Sequence, residues 1–150
     1  MSKNFISENL YKKIIHNVPL CCVDIILKIN NSFLLVKRTE EPVKDKWCFP
    51  GGRVLFNEKL ETAVKRKLRQ ELNIKKIKKI KFLGVEGVRF RKGDFGKSVH
   101  SIANVFLVEI NKKQADDIQV DNTASEYKWF NRIQNNFHPY IKEFLKRGRF

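Results

Sequence analysis

GGRVLFNEKLETAVKRKLRQELNI, residues 51 to 74, sets a two-glycine turn directly before a charged amphipathic stretch. Leu60, Ala63, Val64, Leu68 and Leu72 recur at the spacing of one helical face, which predicts a helix over residues 58–72. Its apolar stripe faces a core and leaves Arg66 and Glu71 towards the glycine turn. A glycine turn opening into a helix brings main-chain groups and the first charged side chains to one place. Taken by itself, the stretch also reads as a surface helix whose charges are solvated.

Reading outward towards the N-terminus, Leu20 to Leu27 and Ser32 to Val36 are rich in β-branched and aromatic residues. They read as a hairpin turning through Asn30-Asn31. Before them, Leu10, Ile14 and Ile15 fall at helical spacing between Phe5 and Asn17, with Ser7 as the candidate cap. Towards the C-terminus, Ile80 to Phe90 and Ser98 to Ile110 read as two long strands joined by a polar turn containing Gly93 and Gly96. A short strand over Glu126 to Phe130 and a helix over Pro139 to Lys146 close the chain. The order helix, sheet, helix, sheet, helix, with no repeat or linker, describes an α+β domain.

At 150 residues and 42% hydrophobic, the chain suits one compact domain with its own core. Its longest apolar run is about eight residues, too short to cross a bilayer. Met1-Ser2-Lys3-Asn4 carries no secretory apolar stretch, so the expected location is the cytoplasm, without a membrane partner. Cys21, Cys22 and Cys48 match neither a metal spacing nor a disulfide framework, which leaves buried reduced thiols. The formal net charge is +15. Lys75, Lys76, Lys78 and Lys79, with Lys146, Arg147 and Arg149, supply much of it and would attract polyanions. A nucleotide answers that charge as well as a nucleic acid does, and no aromatic-glycine RNA fingerprint accompanies the lysines.

Gly52, Glu58, Arg66, Leu68, Glu71 and Ile74 stand at the spacing of the Nudix box, and the chain resembles that superfamily. Lys67, Gln70 and Asn73 occupy places where the pattern has Glu, Glu and Gly. VPLCCVDIIL (18–27), FLLVKRTEEP (33–42), KWCFPGGRV (46–54), SEYKWF (125–130) and NNFHPYIKEF (135–144) extend the resemblance to the GDP-mannose mannosyl hydrolase branch. This resemblance implies an α/β/α Nudix sandwich with a mixed sheet. It also implies a GDP-mannose-like nucleotide-sugar substrate, Mg²⁺ with Mn²⁺ as a substitute, and a homodimer for which the N-terminal helix is the interface candidate.

The same resemblance assigns roles. Glu71 and the backbone carbonyl of Gly51 match the metal ligands, while Arg38 and Arg53 match arginines that hold the diphosphate or its leaving group. Guanidinium suits that task because it stays charged and grips two oxygens at once. Arg66 matches the box arginine, with substrate contact and a bracing ion pair to Glu58 as alternatives. Asp24 interrupts an apolar strand and matches an active-site carboxylate, with Arg53 as its natural partner. Its alternative is a solvent-facing position.

Where the branch carries a metal-binding Gln and a general-base His, this chain has Thr123 and Ala124. Asp121 and Glu126 are the nearby replacements for the base. His100 and His138 are the distant ones, readable also as a structural strand residue and a helix-start residue. Three functions therefore stand open. They are hydrolysis at the sugar carbon of a nucleoside diphosphate sugar, cleavage of a nucleotide diphosphate, and nucleotide or RNA binding with weak catalysis.

Overall fold

Alternation along the central strand builds two cores at once. The computed structural model describes residues 6–150, so the Met1 to Asn4 stretch and the expected helix start at Phe5 lie outside the described residues. Strand β1, Leu20–Ile29, turns Val23, Ile25 and Leu27 to one face and Ile26 to the other. It pairs antiparallel with β2, Ser32–Arg38, through the expected Asn30-Asn31 turn, where Asn30 adopts φ 50. Its other edge runs parallel to β6, Val99–Glu109. The long β5, Lys79–Phe90, then flanks β6 antiparallel at the sheet margin. Parallel and antiparallel pairs together make a mixed sheet.

The first core lies under α2, Leu60–Leu72, where Ala63, Val64, Leu68 and Leu72 meet Val23, Ile25, Leu27, Phe106 and Val108. The helix starts two residues later than the sequence suggests. Glu58 is drawn into the preceding loop, where its carboxylate accepts from Leu55 N at 2.9 Å and binds Arg66. Asn73 closes the helix at φ 57, a left-handed conformation that asparagine tolerates and that explains its standing in for glycine. The second core forms under α4, Pro139–Arg147, from Ile141, Phe144 and Leu145 against Ile26, Phe33, Leu35 and Phe130. Helices on both faces of a mixed sheet make the α/β/α sandwich.

α1, Glu8–Asn17, is capped by Ser7, whose hydroxyl accepts from Leu10 N at 3.3 Å. The last strand, β7, Ala124–Phe130, is longer than expected because it pairs along β2 up to Arg38. Three short elements had no sequence signal: β3, Trp47–Cys48, β4, Gly51–Arg53, and α3, Lys112–Asp116. Among the described residues no helix is long and apolar enough to cross a membrane. All three cysteines are free thiols. Cys21 is exposed rather than buried, because it stands near the start of β1, beyond the cover of either helix.

Candidate active site

A cleft of about 940 Å³ opens beside β1 and β4 on the α4 face. Its volume suits a nucleotide-sized ligand. β4 forms one wall because Gly51 pairs with Asp24 and Gly52 with Val23. A side chain at Gly51 would fall on the Val23 carbonyl oxygen, so glycine is obligatory in this wall.

Asp24, Arg38 and Arg53 all line the cleft. Arg38 ends β2 at a register irregularity, and its Nε is buried with no hydrogen-bond partner. A buried guanidinium N–H without an acceptor is costly and marks where an anion belongs. Arg53 follows the two glycines, and its guanidinium lies 5.1 Å from the centre of the Tyr11 ring on α1. This stacking holds the cation at the mouth of the cleft.

Asp24 takes its hydrogen bond from Tyr140 Oη, 2.7 Å from Oδ2, and not from Arg53 as the sequence suggested. Burial pushes its carboxyl up to about 6, opposed by the Tyr140 bond and Arg38 and reinforced by the Glu71 charge. The Tyr140 hydroxyl is in turn held well above its ordinary range by burial and by the Asp24 charge. Tyr140 stays a donor, so Asp24 keeps its remaining lone pairs for the cleft.

His138 caps α4, its Nδ1 accepting from Tyr140 N at 3.2 Å, and it also lines the cleft. Neither Asp121 nor Glu126 reaches that lining. The Asp121 carboxylate accepts from Thr123 N at 3.0 Å and Thr123 Oγ1 at 2.5 Å, folding its own loop. Glu126 is exposed and paired across strands with Lys37 at 3.2 Å. His100 lies over Gly87 of β5, away from the cleft. Burial pushes the Cys22 and Cys48 thiols in the cleft wall up to about 12, which makes them inert.

Arg66 braces the glycine turn. Its Nε donates to Glu58 Oε1 at 2.7 Å, and its Nη2 to Glu58 Oε2 and the Arg53 carbonyl, both at 2.9 Å. The hydrogen bond from Arg66 holds the Glu58 carboxyl below its usual range. With Nη1 donating to Gln70 at 3.1 Å, Arg66 is occupied on every side.

Glu71 is buried behind the same turn. Its Oε2 accepts from Gly51 N at 3.2 Å, and its Oε1 lies 2.5 Å from Lys67 Nζ. Burial raises its carboxyl above the ordinary value, against the pull of Lys67. Among the described residues no group of three or more His, Cys, Asp or Glu side chains is placed to hold a metal ion. Mg²⁺ can be held by one carboxylate where substrate phosphates complete its shell, but the Glu71 carboxylate is already answered by the Lys67 ammonium.

Two of these residues carried no separate sequence signal for the site, Tyr11 and Tyr140, whereas Lys67 stands one helical turn before Glu71 on the same face, and the pair that this spacing suggests is formed. His-Pro-Tyr was legible as a motif, but its partner Asp24 lies 116 positions away.

The NUDIX domain family model matches residues 21–147. The low-salt glycan biosynthesis protein Agl8 of Haloferax volcanii is 30% identical, over 93% of this chain and 88% of that protein. An ADP-ribose pyrophosphatase of Methanocaldococcus jannaschii is also 30% identical, over 97% of this chain and 85% of its own. The solved structure of a MutT NUDIX hydrolase from Burkholderia pseudomallei superposes with TM-score 0.71 at 22% identity, covering 87% and 98% of the two chains. A bifunctional NMN adenylyltransferase/ADP ribose pyrophosphatase from Francisella tularensis, complexed with AMP and a Mn ion, gives TM-score 0.56 at 22% identity. That match covers 93% of this chain and 40% of the other.

Proposed function

Because this chain belongs to the NUDIX domain family, we propose that it is a hydrolase whose substrate is a nucleoside diphosphate joined to a sugar, GDP-mannose-like. The unpartnered Nε of Arg38, buried in the same cleft as Arg53, carries this reading. Two guanidinium groups facing one cleft supply fixed positive charge where a leaving diphosphate gains negative charge. The similarity to a glycan biosynthesis protein and to an ADP-ribose pyrophosphatase supports the ligand class, since both glycan assembly and ADP-ribose involve sugars joined to nucleotides.

The proposed reaction is substitution at the anomeric carbon. Asp24 takes a proton from water, the water oxygen bonds to the sugar carbon, and the carbon–oxygen bond to the β-phosphate breaks. The nucleoside diphosphate departs with the electron pair, held by Arg38 and Arg53. Asp24 fits the base role because it is in the cleft, is mostly ionised at pH 7 and is oriented by Tyr140. Asp121 and Glu126 remain the second-line bases, each requiring its loop or ion pair to open. Arg66 supports the turn that presents Arg53.

Glu71 and Gly51 are the ligands that the resemblance implies for Mg²⁺ or Mn²⁺, and Lys67 holds that carboxylate. The reading therefore rests on side-chain cations. A homodimer would draw on α1, where Leu10 is exposed and Val18 is exposed just beyond its end.

Diphosphate cleavage is the second reading, favoured by the ADP-ribose pyrophosphatase similarity. Lys67 and Gln70 in place of carboxylates weigh against it. Incubating the protein with GDP-mannose and ADP-ribose in ¹⁸O-labelled water decides between them. Free labelled sugar plus nucleoside diphosphate supports the proposal, and a sugar phosphate plus nucleoside monophosphate selects the alternative. Unchanged substrates would leave a nucleotide-binding protein without turnover.

A further inference from the structure

A lysine ammonium occupies the place where this fold's relatives are expected to keep their metal. Lys67 Nζ lies 2.5 Å from Glu71 Oε1, and the Lys67 side chain retains 17% of its exposure. Its end also lies against Gly52, where an added Cβ would meet Cε at 3.0 Å and Nζ at 3.1 Å. The ammonium is thus set between the buried carboxylate and the glycine wall of the cleft. Glu71 uses one of its three N–H donors.

Burying a lysine beside a carboxylate is costly unless the pair is well matched, and here the spacing of one helical turn matches it. Gln70, the other residue that departs from an acidic pattern, is neutral and bonded to Arg66. The other carboxylates close to Glu71 are Asp24, which takes the Tyr140 hydroxyl, and Asp121, which is bound within its own loop, so neither stands free for a metal ion.

We propose that Lys67 is the resident cation of this site and that the chain binds a nucleoside diphosphate without a divalent ion, through Lys67, Arg38 and Arg53. The proposal rests on the nucleotide reading above and specifies how the phosphates are neutralised. A lysine is a compact point charge with free donors, and it can take a phosphate oxygen directly while remaining paired with Glu71.

Two measurements test it on the full chain. In the first, GDP binding to the native protein is followed by calorimetry in EDTA and in excess Mg²⁺. The dissociation constants should agree to within about twofold, and Lys67→Gln should weaken binding in EDTA on the order of tenfold, the loss of one charge-assisted hydrogen bond. In the second, electron paramagnetic resonance counts free Mn²⁺ without nucleotide. The native protein should leave the free-ion signal unchanged, and Lys67→Glu should reduce it by adding a carboxylate beside Glu71. Native GDP binding that disappears on chelation, or native Mn²⁺ binding equal to that of the Lys67→Glu variant, overturns the resident cation alone. GDP that binds under neither condition overturns it together with the nucleotide reading. The native-protein arms need no variant, so a Lys67→Gln protein that fails to fold does not obscure the answer.

Discussion

In the proposed reaction Asp24 concentrates the chemistry in one carboxyl group. Its value of about 6 in the fold lies above the ordinary 3.8, so the folded protein binds that proton more tightly than the unfolded chain does. The stability this group contributes is therefore full below about pH 4 and is lost as pH rises towards 6. Asp24→Asn should remove that slope and, at pH 7.5, unfold at an equal or higher urea midpoint than the native protein. The same change should cost roughly 10²- to 10⁴-fold in kcat/KM if Asp24 is the base, and abolish a rise of activity with pH through about 6. A variant with the native pH profile would return the role to Asp121 or Glu126. Arg66 predicts the opposite pattern. Arg66→Ala strands the mostly buried Glu58 and should destabilise the fold by about 2 kcal/mol in urea unfolding, with KM changed little once folded. A raised KM at unchanged stability would instead show that Arg66 touches the substrate. The contrast explains what the sequence disclosed. Arg38, Arg53 and Asp24 could be expected in one cleft because each stands in a stretch that resembles the family's own, and all three line it. Tyr140 and Tyr11 could not, because their contacts with Asp24 and Arg53 are created by α4 and α1 folding onto the sheet.

Elements became legible in proportion to their length. β1, β5 and β6 and the helices α2 and α4 carry enough residues for apolar spacing to declare a period. β3 and β4 have two and three residues and no period, yet β4 is the strand that forms the cleft wall. Only the pairing of Gly51 and Gly52 with β1 makes them a strand, which is a tertiary fact. Helix boundaries shifted for an equally local reason. Glu58 left α2 to bind Arg66, and Lys59 became the residue at the helix start. Lys59 has the extended conformation of a cap, at φ −72 and ψ 146, but its side chain makes no capping hydrogen bond. Lys59→Ser should supply an acceptor for the first turn and remove a positive charge from the helix N-terminus. A gain of about 1 kcal/mol is expected in urea unfolding, with the activity of the cleft unchanged. No gain, or a loss, would mean that Lys59 supports the loop by a contact more valuable than a cap.

At the scale of the whole molecule, the charge of +15 and the cleft are separate matters. Lys79 begins β5, whereas Val88 and Phe90 at its far end line the cleft. At about 3.3 Å per residue, roughly 30 Å of strand separates them. That distance is several times the Debye length of about 8 Å at physiological salt. Even Lys75, three residues past the end of α2, stands about two Debye lengths from Lys67, so the lysines at 75, 76, 78 and 79 add little to the equilibrium grip on a nucleotide. Replacing all four with glutamine should leave GDP affinity within about twofold at physiological salt, because screened charges at that range contribute little. Arg38→Ala and Arg53→Ala should each weaken it by roughly 1.5 to 3 kcal/mol, the range for a hydrogen bond to a charged group. Titrating the same four-lysine variant with single-stranded RNA gives the basic edge its own test. Native RNA binding that vanishes in the variant while GDP binding persists would assign this edge to nucleic acid. If both proteins ignore RNA, the lysines serve as a solvated guard on an exposed strand, where like charges keep the β5 edges of neighbouring molecules apart. A large loss of GDP affinity in the variant would contradict the separation, and would mean that the basic edge reaches the ligand despite its place at the opposite end of the sheet.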